Sequence, residues 1–477
     1  VNGSTVLRRV LGTTPGSVLA VVAVFVACPA FVMAAAVTLV PALLRVFEWF
    51  VATAFLATSI ALALESYAAS RRIRTPAGPV TPPSLSVVVS AYLPNEQDII
   101  IETLRHVLRC LDVWSPRMQI ILVYNTPSTL DVEAVLQQLG RMASQIQPLR
   151  VEGSTSKAEN IDAALPHLTG EMTLLLDADH HPAPDAPARA WRWLTRGYDI
   201  VQGRCVVRNP TENFQSHIVA IEFEQMYAVA HQARSLLVDT AIFGGTNGWW
   251  RTSVLREIGM DPRMLTEDID SATRAILAGY KVIHDRSVIS TELSTMSFRA
   301  WWNQRLRWAQ GWHQVVLMRH QALRQSPHLT NEQRTYWTYM LLWGGVFPVI
   351  GMMAVSVLIA AAIVPTARWS FPGDPYLIFT TIVTLGVLVM RTWLTWRVAT
   401  PITKRIGVKW LVLYAVIAPA YETLKTVVAL TAILREAAAM DEWVVTSREH
   451  KGGKVTATPT SHTSIAPTAH QGVSVVS

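Results

Sequence analysis

The sequence predicts an α/β domain with a parallel, Rossmann-like sheet, inserted between α-helical membrane segments. Three observations predict it. Five runs, 18–44, 46–64, 336–364, 376–396 and 410–434, are almost continuously apolar, and each is close to the ~20 residues that cross a bilayer. The stretch between them, about 80–300, has ordinary globular composition and enough length for one large domain. Inside that stretch, short apolar strands alternate with helical patterns, the signature of an α/β sheet.

The elements follow in order. An N-terminal segment, 1–17, precedes two expected membrane helices in 18–66. The first run is read as a span rather than a cleaved leader, because a second run follows almost at once and no small-residue cleavage site separates them. Arg71, Arg72 and Arg74 follow the second run, and Lys404, Arg405 and Lys409 precede the last. The positive-inside rule therefore puts these loops and the globular domain in the cytoplasm. Much of the net charge of +7 sits beside membrane runs, so it does not point to nucleic acid. Cys28, Cys110 and Cys205 have no metal-ligand spacing, and no disulfide framework is expected.

Residues 67–83 form a linker ending in TPAGPVTPP, and the globular domain runs over 84–297. SLSVVVSAY (84–92) reads as a buried strand, 97–111 as a helix, MQIILVY (118–124) as a strand and 131–144 as a helix. A strand near 148–151, a helix from about 157 and a strand at 171–177 repeat the pattern. Ligands of such sheets gather at the carboxyl ends of the strands, so Tyr92, Asn125 and Asp177 should meet in one crevice. Residues 298–325 carry aromatics and arginines in a pattern that suits an amphipathic helix on the membrane surface. A C-terminal membrane region of two to three segments occupies 336–434, and 450–477 reads as a disordered tail.

The chemistry lies in three clusters. In LLLDADHHP, Asp177 and Asp179 point the same way along an extended chain and repel one another unless a positive group intervenes. The simplest such group is a divalent metal, and hard oxygen ligands suit Mg²⁺ or Mn²⁺. His180 and His181 are read as polar turn residues, with a third metal ligand as the alternative. In TEDID, Glu267 and Asp268 open a helix, where acids are also common for electrostatic reasons alone. A carboxylate there can also serve as a general base if an acceptor hydroxyl docks against it. In QRLRW, Gln304, Arg307 and Trp308 share a helical face. An Arg can neutralise a diphosphate and a Trp face can stack on a ring, although a plain Trp–Arg membrane belt has the same look.

D-x-D, T-E-D and Q-x-x-R-W in this order, with flanking membrane runs, resemble the family 2 inverting glycosyltransferases, specifically the processive cellulose, chitin and hyaluronan synthases. The resemblance covers roughly 84–320. It implies a GT-A fold and a UDP-sugar donor, giving a hexose or N-acetylhexosamine to a growing glycan. It implies Asp179 and Asp177 as the metal and donor carboxylates, Asp268 as the base with Glu267 beside it, and Gln304, Arg307 and Trp308 on the pyrophosphate and acceptor. SAYLPNE resembles the first nucleotide loop, with Tyr92 and Glu96 near the base, and SKAEN the loop that carries Lys157. FGGTNG sits where the acceptor site is lined, which implicates Thr246 and Asn247; a Gly-rich turn is the plainer reading. The family usually has an Asp after its second strand, where Asn125 stands here; its amide can still donate to and accept from a uracil edge.

WVVTSR, within 435–449, resembles the gating loop of these synthases through Trp443, Thr446 and Arg448. Such a loop must be cytoplasmic, yet three spans after the domain would leave it outside. The last run contains Pro419, Glu422 and Lys425, so it is expected to be broken, re-entrant or interfacial. The resemblance places the chain in the plasma membrane with several passes, with room for an accessory subunit. Two alternatives are an enzyme that adds one sugar to a lipid acceptor and a catalytically inactive membrane scaffold. A scaffold should have lost the base or the metal carboxylates, and Asp177, Asp179 and Asp268 are present. A transporter fits less well, because the ionisable motifs lie in the globular stretch.

Overall fold

The run SLSVVVSAY has no polar alternation because both of its faces are buried. The computed structural model describes residues 3–71, 75–112, 114–115, 117–365 and 368–440. It contains β1 (Leu85–Tyr92), β2 (Met118–Asn125), β3 (Ile146–Arg150), β4 (Met172–Asp177), β5 (His181–Pro182), β6 (Ile200–Val207), β7 (Gly248–Arg251) and β8 (Val282–Glu292). Val87 and Val89 pack with Leu104 of the Ile100–Leu111 helix on one face. Val88 faces the other way and packs with Ile161 of the Lys157–Ala164 helix.

The eight strands lie in the order β3-β2-β1-β4-β7-β6-β8-β5. β1 runs parallel to β2 and β4, and β2 runs parallel to β3, as the strand–helix alternation predicts. The sheet as a whole is mixed: the strands that the alternation marks are its parallel part, and antiparallel pairs join it to the rest. β7 is antiparallel to both β4 and β6, and β5 to β8. The reason is the path of the chain. It enters β7 from the turn at 244–247, beside the end of β4, so it must run back along the sheet. The short strand holds by burying Trp249 on one face of the sheet and Trp250 on the other.

Among the described residues, five helices are long and apolar enough to cross a membrane: Thr14–Leu39, Leu43–Ser70, Asn331–Ile363, Pro375–Val398 and Val408–Ala437. In the first four, one set of ends meets away from the sheet. There, Trp49 Nε1 donates to Asp374 Oδ2 at 2.9 Å and Ser370 N to Glu48 Oε1 at 3.2 Å. The opposite ends meet the globular domain, where Arg286 donates to Ala69 O at 2.7 Å and Gln333 to Val238 O at 3.0 Å.

The fifth helix behaves differently. Val408–Ala437 is one unbroken helix with Pro419 inside it, so a break or a re-entrant hairpin is excluded within the described residues. It touches the domain at several points along its length, and Leu430 also packs with Val21, Val26 and Met352 of the other apolar helices. The Trp410 ring stacks on His217 at 3.9 Å, Tyr421 donates to Glu222 Oε2 at 2.9 Å, and Gln310 donates to Glu436 Oε2 at 3.2 Å. Lys425 neutralises Glu422 at 2.8 Å on the same helix, which offsets the cost of both charges in an apolar run. The 298–325 expectation matches a helix over Phe298–Gln325. Trp443, Thr446, Arg448 and the 450–477 tail lie outside the described residues.

Candidate active site

The carboxyl ends of β1, β2 and β4 open into a cavity of about 410 Å³. Of the residues singled out by sequence, Tyr92, Glu96, Asn125, Lys157, Asp177, Thr246, Glu267, Asp268, Gln304, Arg307 and Trp308 all line it. These come from seven stretches spread over more than 200 residues, so the tertiary fold brings them together.

Asp177 ends β4 and accepts a hydrogen bond from the ammonium of Lys157, at the start of the Lys157–Ala164 helix. Part of the positive charge that the D-x-D demanded is therefore the chain's own lysine. Lys157 also donates to Gly245 O at 2.6 Å. Burial works against its charge, but the carboxylates of Asp177, Glu267 and Asp268 hold its pKa above the ordinary lysine value. Asp179 is buried behind the cavity, and its Oδ2 accepts from Leu293 N at 3.0 Å. The ligand atoms of Asp177, Asp179 and His180 lie within 4.8 Å of one another. Two carboxylates and an imidazole make a donor set that fits Mg²⁺ or Mn²⁺.

His180 does close a turn after the D-x-D, its N–H donating to Asp177 O at 3.1 Å, whereas His181 lies in a strand, and both are buried. His180 is fully buried, its Nδ1 hydrogen-bonds with Ser290 Oγ at 3.1 Å, and its Nε2 lies 3.7 Å from Glu292 Oε2. His181 pairs with Thr291 as the first residue of β5 and stacks on His106 at 4.3 Å. Burial, Arg208 and His106 push its pKa down to about 3, so it is neutral at physiological pH.

Asp268 sits in the first turn of the Glu267–Leu277 helix. Burial and the neighbouring Glu267 push its carboxyl up to about 7. The third acid of the turn, Asp270, has a different job: it is fully buried between Arg274 at 2.7 Å and Arg319 at 2.8 Å, which locks this helix to the Phe298–Gln325 helix. Close approach of the two helices depends on Gly311, where an added Cβ would lie 2.5 Å from Thr266 Oγ1. The same packing carries Gln304, Arg307 and Trp308 to the cavity. Arg307 donates to Leu265 O at 3.3 Å, and Gln304 Oε1 accepts from Arg305 at 2.6 Å. Arg305 lies 4.2 Å over the Trp308 ring and pairs with Glu222 at 2.6 Å.

Some sequence-based assignments need correction. Asn247 is fully buried and does not line the cavity. Its Nδ2 donates to Arg204 O and Val288 O, both at 3.1 Å, and its Oδ1 accepts from Trp249 Nε1 at 3.1 Å. It holds β7 in the sheet, at a φ of 51° that Asn tolerates. Thr246 does line the cavity, but its hydroxyl accepts from Asp177 N at 3.1 Å. The Asn125 amide donates to Ser154 O and accepts from Asn160, both at 2.9 Å, so it ties two loops together as well as lining the cavity. Sequence reasoning missed Phe223, Tyr227 and Glu292, which also line it. Nothing local marked them: two lie in an apolar helical stretch and one at the end of an ordinary strand.

Residues 172–396 match the model of glycosyl transferase family group 2. The chain is 24% identical over 236 residues to the poly-beta-1,6-N-acetyl-D-glucosamine synthase of Staphylococcus epidermidis, covering 49% of this chain and 55% of that protein. It is 24% identical over 277 residues to the probable glycosyltransferase YdaM of Bacillus subtilis, covering 55% and 64%. It is 31% identical over 145 residues to a probable glucomannan 4-beta-mannosyltransferase of Oryza sativa, covering 30% and 25%. The chain thus spans between a quarter and about two thirds of these relatives' lengths. Among solved structures, the mannosyltransferase PcManGT from Pyrobaculum calidifontis, in complex with GDP-Man and Mn²⁺, aligns with a TM-score of 0.52 at 17% identity. That alignment covers 83% of this chain and 99% of PcManGT. The fold of the α/β domain is therefore GT-A-like.

Proposed function

We propose that the chain is a family 2 glycosyltransferase and, more finely, a processive inverting one, moving a hexose or N-acetylhexosamine from a UDP-sugar to a growing glycan at the membrane; the match of residues 172–396 to glycosyl transferase family group 2 supports this reading. The observation that carries this reading is the meeting of Asp177, Lys157, Asp268, Arg307 and Trp308 around one cavity. The nucleotide lies over the ends of β1 and β2, beside Tyr92, Glu96 and Asn125. Lys157 and Arg307 are the cations that face its diphosphate. Asp177, Asp179 and His180 would hold a divalent cation, Mg²⁺ or Mn²⁺, which when bound would stabilise the charge of the departing diphosphate.

Asp268 takes the proton from the acceptor hydroxyl as that oxygen attacks the anomeric carbon from the face opposite the nucleotide. The new carbon–oxygen bond forms, the bond to the diphosphate breaks, and the configuration inverts. A base with a pKa near the working pH suits this task. Trp308 offers its ring to the acceptor sugar.

The helix arrangement supports a topology of four spans with the domain in the cytoplasm. The Val408–Ala437 helix then lies along the membrane surface against the domain, which keeps the WVVTSR segment on the side where a gating loop could cover the donor. The test is nucleotide release by the purified protein in lipid nanodiscs with Mg²⁺ or Mn²⁺, across a panel of UDP- and GDP-sugars, with the product sized. Release with one UDP-sugar and a long polymer is expected. A product carrying one added sugar on lipid would replace the polymerase reading with the lipid-glycosylating one.

A further inference from the structure

Arg305 is the second residue of QRLRW. Its neighbours Gln304 and Trp308 line the cavity and Arg305 does not. Its buried side chain turns instead toward Glu222 in the Phe214–Phe223 helix, where the pairing is a fork. Nη2 donates to Glu222 Oε2 at 2.6 Å and Nε to Oε1 at 3.3 Å. The last helix seats Glu222 in turn, through the Tyr421 hydroxyl at 2.9 Å and the Lys425 ammonium at 4.0 Å. A forked pair fixes the plane of a guanidinium, where a single contact would leave it free to turn.

Two cavity-lining groups take their orientation from that plane. Nη1 donates to Gln304 Oε1 at 2.6 Å, and the guanidinium carbon lies 4.2 Å from the centre of the Trp308 ring. The rings of Phe223 and Trp301, at 5.6 and 6.0 Å, close the box around it. For Gln304 the consequence is chemical. An amide has an acceptor oxygen at one end and two N–H donors at the other. With the oxygen engaged by Arg305, the donors are what remain for the cavity, whose ligand is an anion rich in acceptor oxygens. A flipped amide would set oxygen against oxygen. Stability alone does not call for this ion pair, because apolar side chains of similar volume often serve a core as well or better than two buried charges. An oriented donor is what apolar side chains cannot supply.

We propose that Arg305 is a positioning residue for the transfer reaction: locked by Glu222, it turns the Gln304 amide so that its N–H groups serve the cavity, and it holds the Trp308 ring at one tilt. This rests on the glycosyltransferase reading and adds to its site a residue that touches no substrate. Through Tyr421 and Lys425, the last helix becomes part of the support of that site.

The test uses the full chain in nanodiscs and the best donor from the release panel. Arg305→Lys keeps a charge for Glu222, but a point cation cannot hold Glu222, the Gln304 amide and the Trp308 ring together. The variant should melt close to wild type and bind one UDP per chain by calorimetry, while kcat falls about tenfold or more. Glu222→Gln combined with Arg305→Met removes both charges, should also fold, and should show the same loss. In a Gln304→Ala background the further cost of Arg305→Lys should shrink to about threefold or less, because most of what Arg305 does passes through that amide. Wild-type kcat in Arg305→Lys or in the double variant would overturn the proposal. So would a loss of kcat that merely tracks a loss of UDP-binding sites, or full multiplication of the Gln304→Ala and Arg305→Lys losses, since a purely structural defect gives those results. If the unaltered protein turned over no donor, the glycosyltransferase reading would fall first and this inference with it.

Discussion

Replacing Gly245 with Ala should separate the chemistry from the fold. Gly245 has φ +85°, and a Cβ built on it would lie 2.6 Å from Asp268 Oδ2. Ordinary contact begins near 3.4 Å, so the carboxylate oxygen must retreat by about 0.8 Å. A side-chain carboxylate can swing that far at little cost in stability. The left-handed backbone adds about 1–2 kcal/mol of strain for an L-residue. Displacement of a base by nearly 1 Å is far more serious for the reaction, where a misplacement of that size costs on the order of 10²-fold in rate. Gly245→Ala should therefore lower kcat about a hundredfold, lower the thermal midpoint by a few degrees, and leave UDP affinity nearly unchanged. The assay is steady-state nucleotide release alongside calorimetric UDP titration and a melting curve. A folded variant with wild-type kcat would refute the placement of Asp268 at the reacting centre.

The remaining predictions concern charge and topology. With the Asp268 carboxyl up at about 7, kcat/KM should rise with pH through about 7, because the base must be ionised. A raised carboxylate pKa also means that stability declines as pH rises from the unfolded value toward about 7; Asp268→Asn should remove that decline and abolish transfer while UDP still binds. Asp179→Asn keeps an acceptor for Leu293 N and should fold, but Mn²⁺ affinity measured by titration should fall about tenfold or more. Burial alone would raise the Glu222 carboxyl, but Arg305 and Lys425 hold it below the usual range. Its contribution is thus present at neutral pH and lost as pH falls through that depressed value. Glu222→Gln should cost about 3 kcal/mol in denaturant unfolding by leaving Arg305 buried without its partner, and Arg305→Met added to it should restore much of the loss. A C-terminal tag should be reached by protease only from the cytoplasmic face of membrane vesicles; digestion from the opposite face alone would rule out a surface-lying Val408–Ala437 helix.

Much of this molecule was legible along the chain. The β1, β2 and β4 runs are buried on both faces, and a buried strand needs no partner to announce its composition. Asp177, Asp268 and Arg307 were found because three motifs of carboxylates, cations and aromatics occur together in one order, although each alone has a structural reading, and Lys157 was found through the resemblance of SKAEN to a family loop. Asn247 misled because a Gly-rich turn looks alike whether its polar residue faces a cavity or closes a sheet edge. Glu292 was missed for the converse reason: a strand-end Glu has no local mark, and only the fold shows that its solvent is a cavity. β7 escaped because a strand four residues long is stabilised by neighbours on both sides, not by its own pattern.

The sequence by itself determined the local choices: which runs are strands or helices, which helices are apolar enough for a membrane, and which residue types are available for chemistry. These follow from side-chain period, backbone preference and transfer free energy, all of which act within a few residues. Only the tertiary structure decided that β7 turns back between β4 and β6, that Lys157 answers Asp177, that Asn247 is buried, and that the Val408–Ala437 helix lies against the domain. Each of these depends on contacts between residues far apart in the chain, where the energy of one choice is set by a surface that the local sequence does not encode.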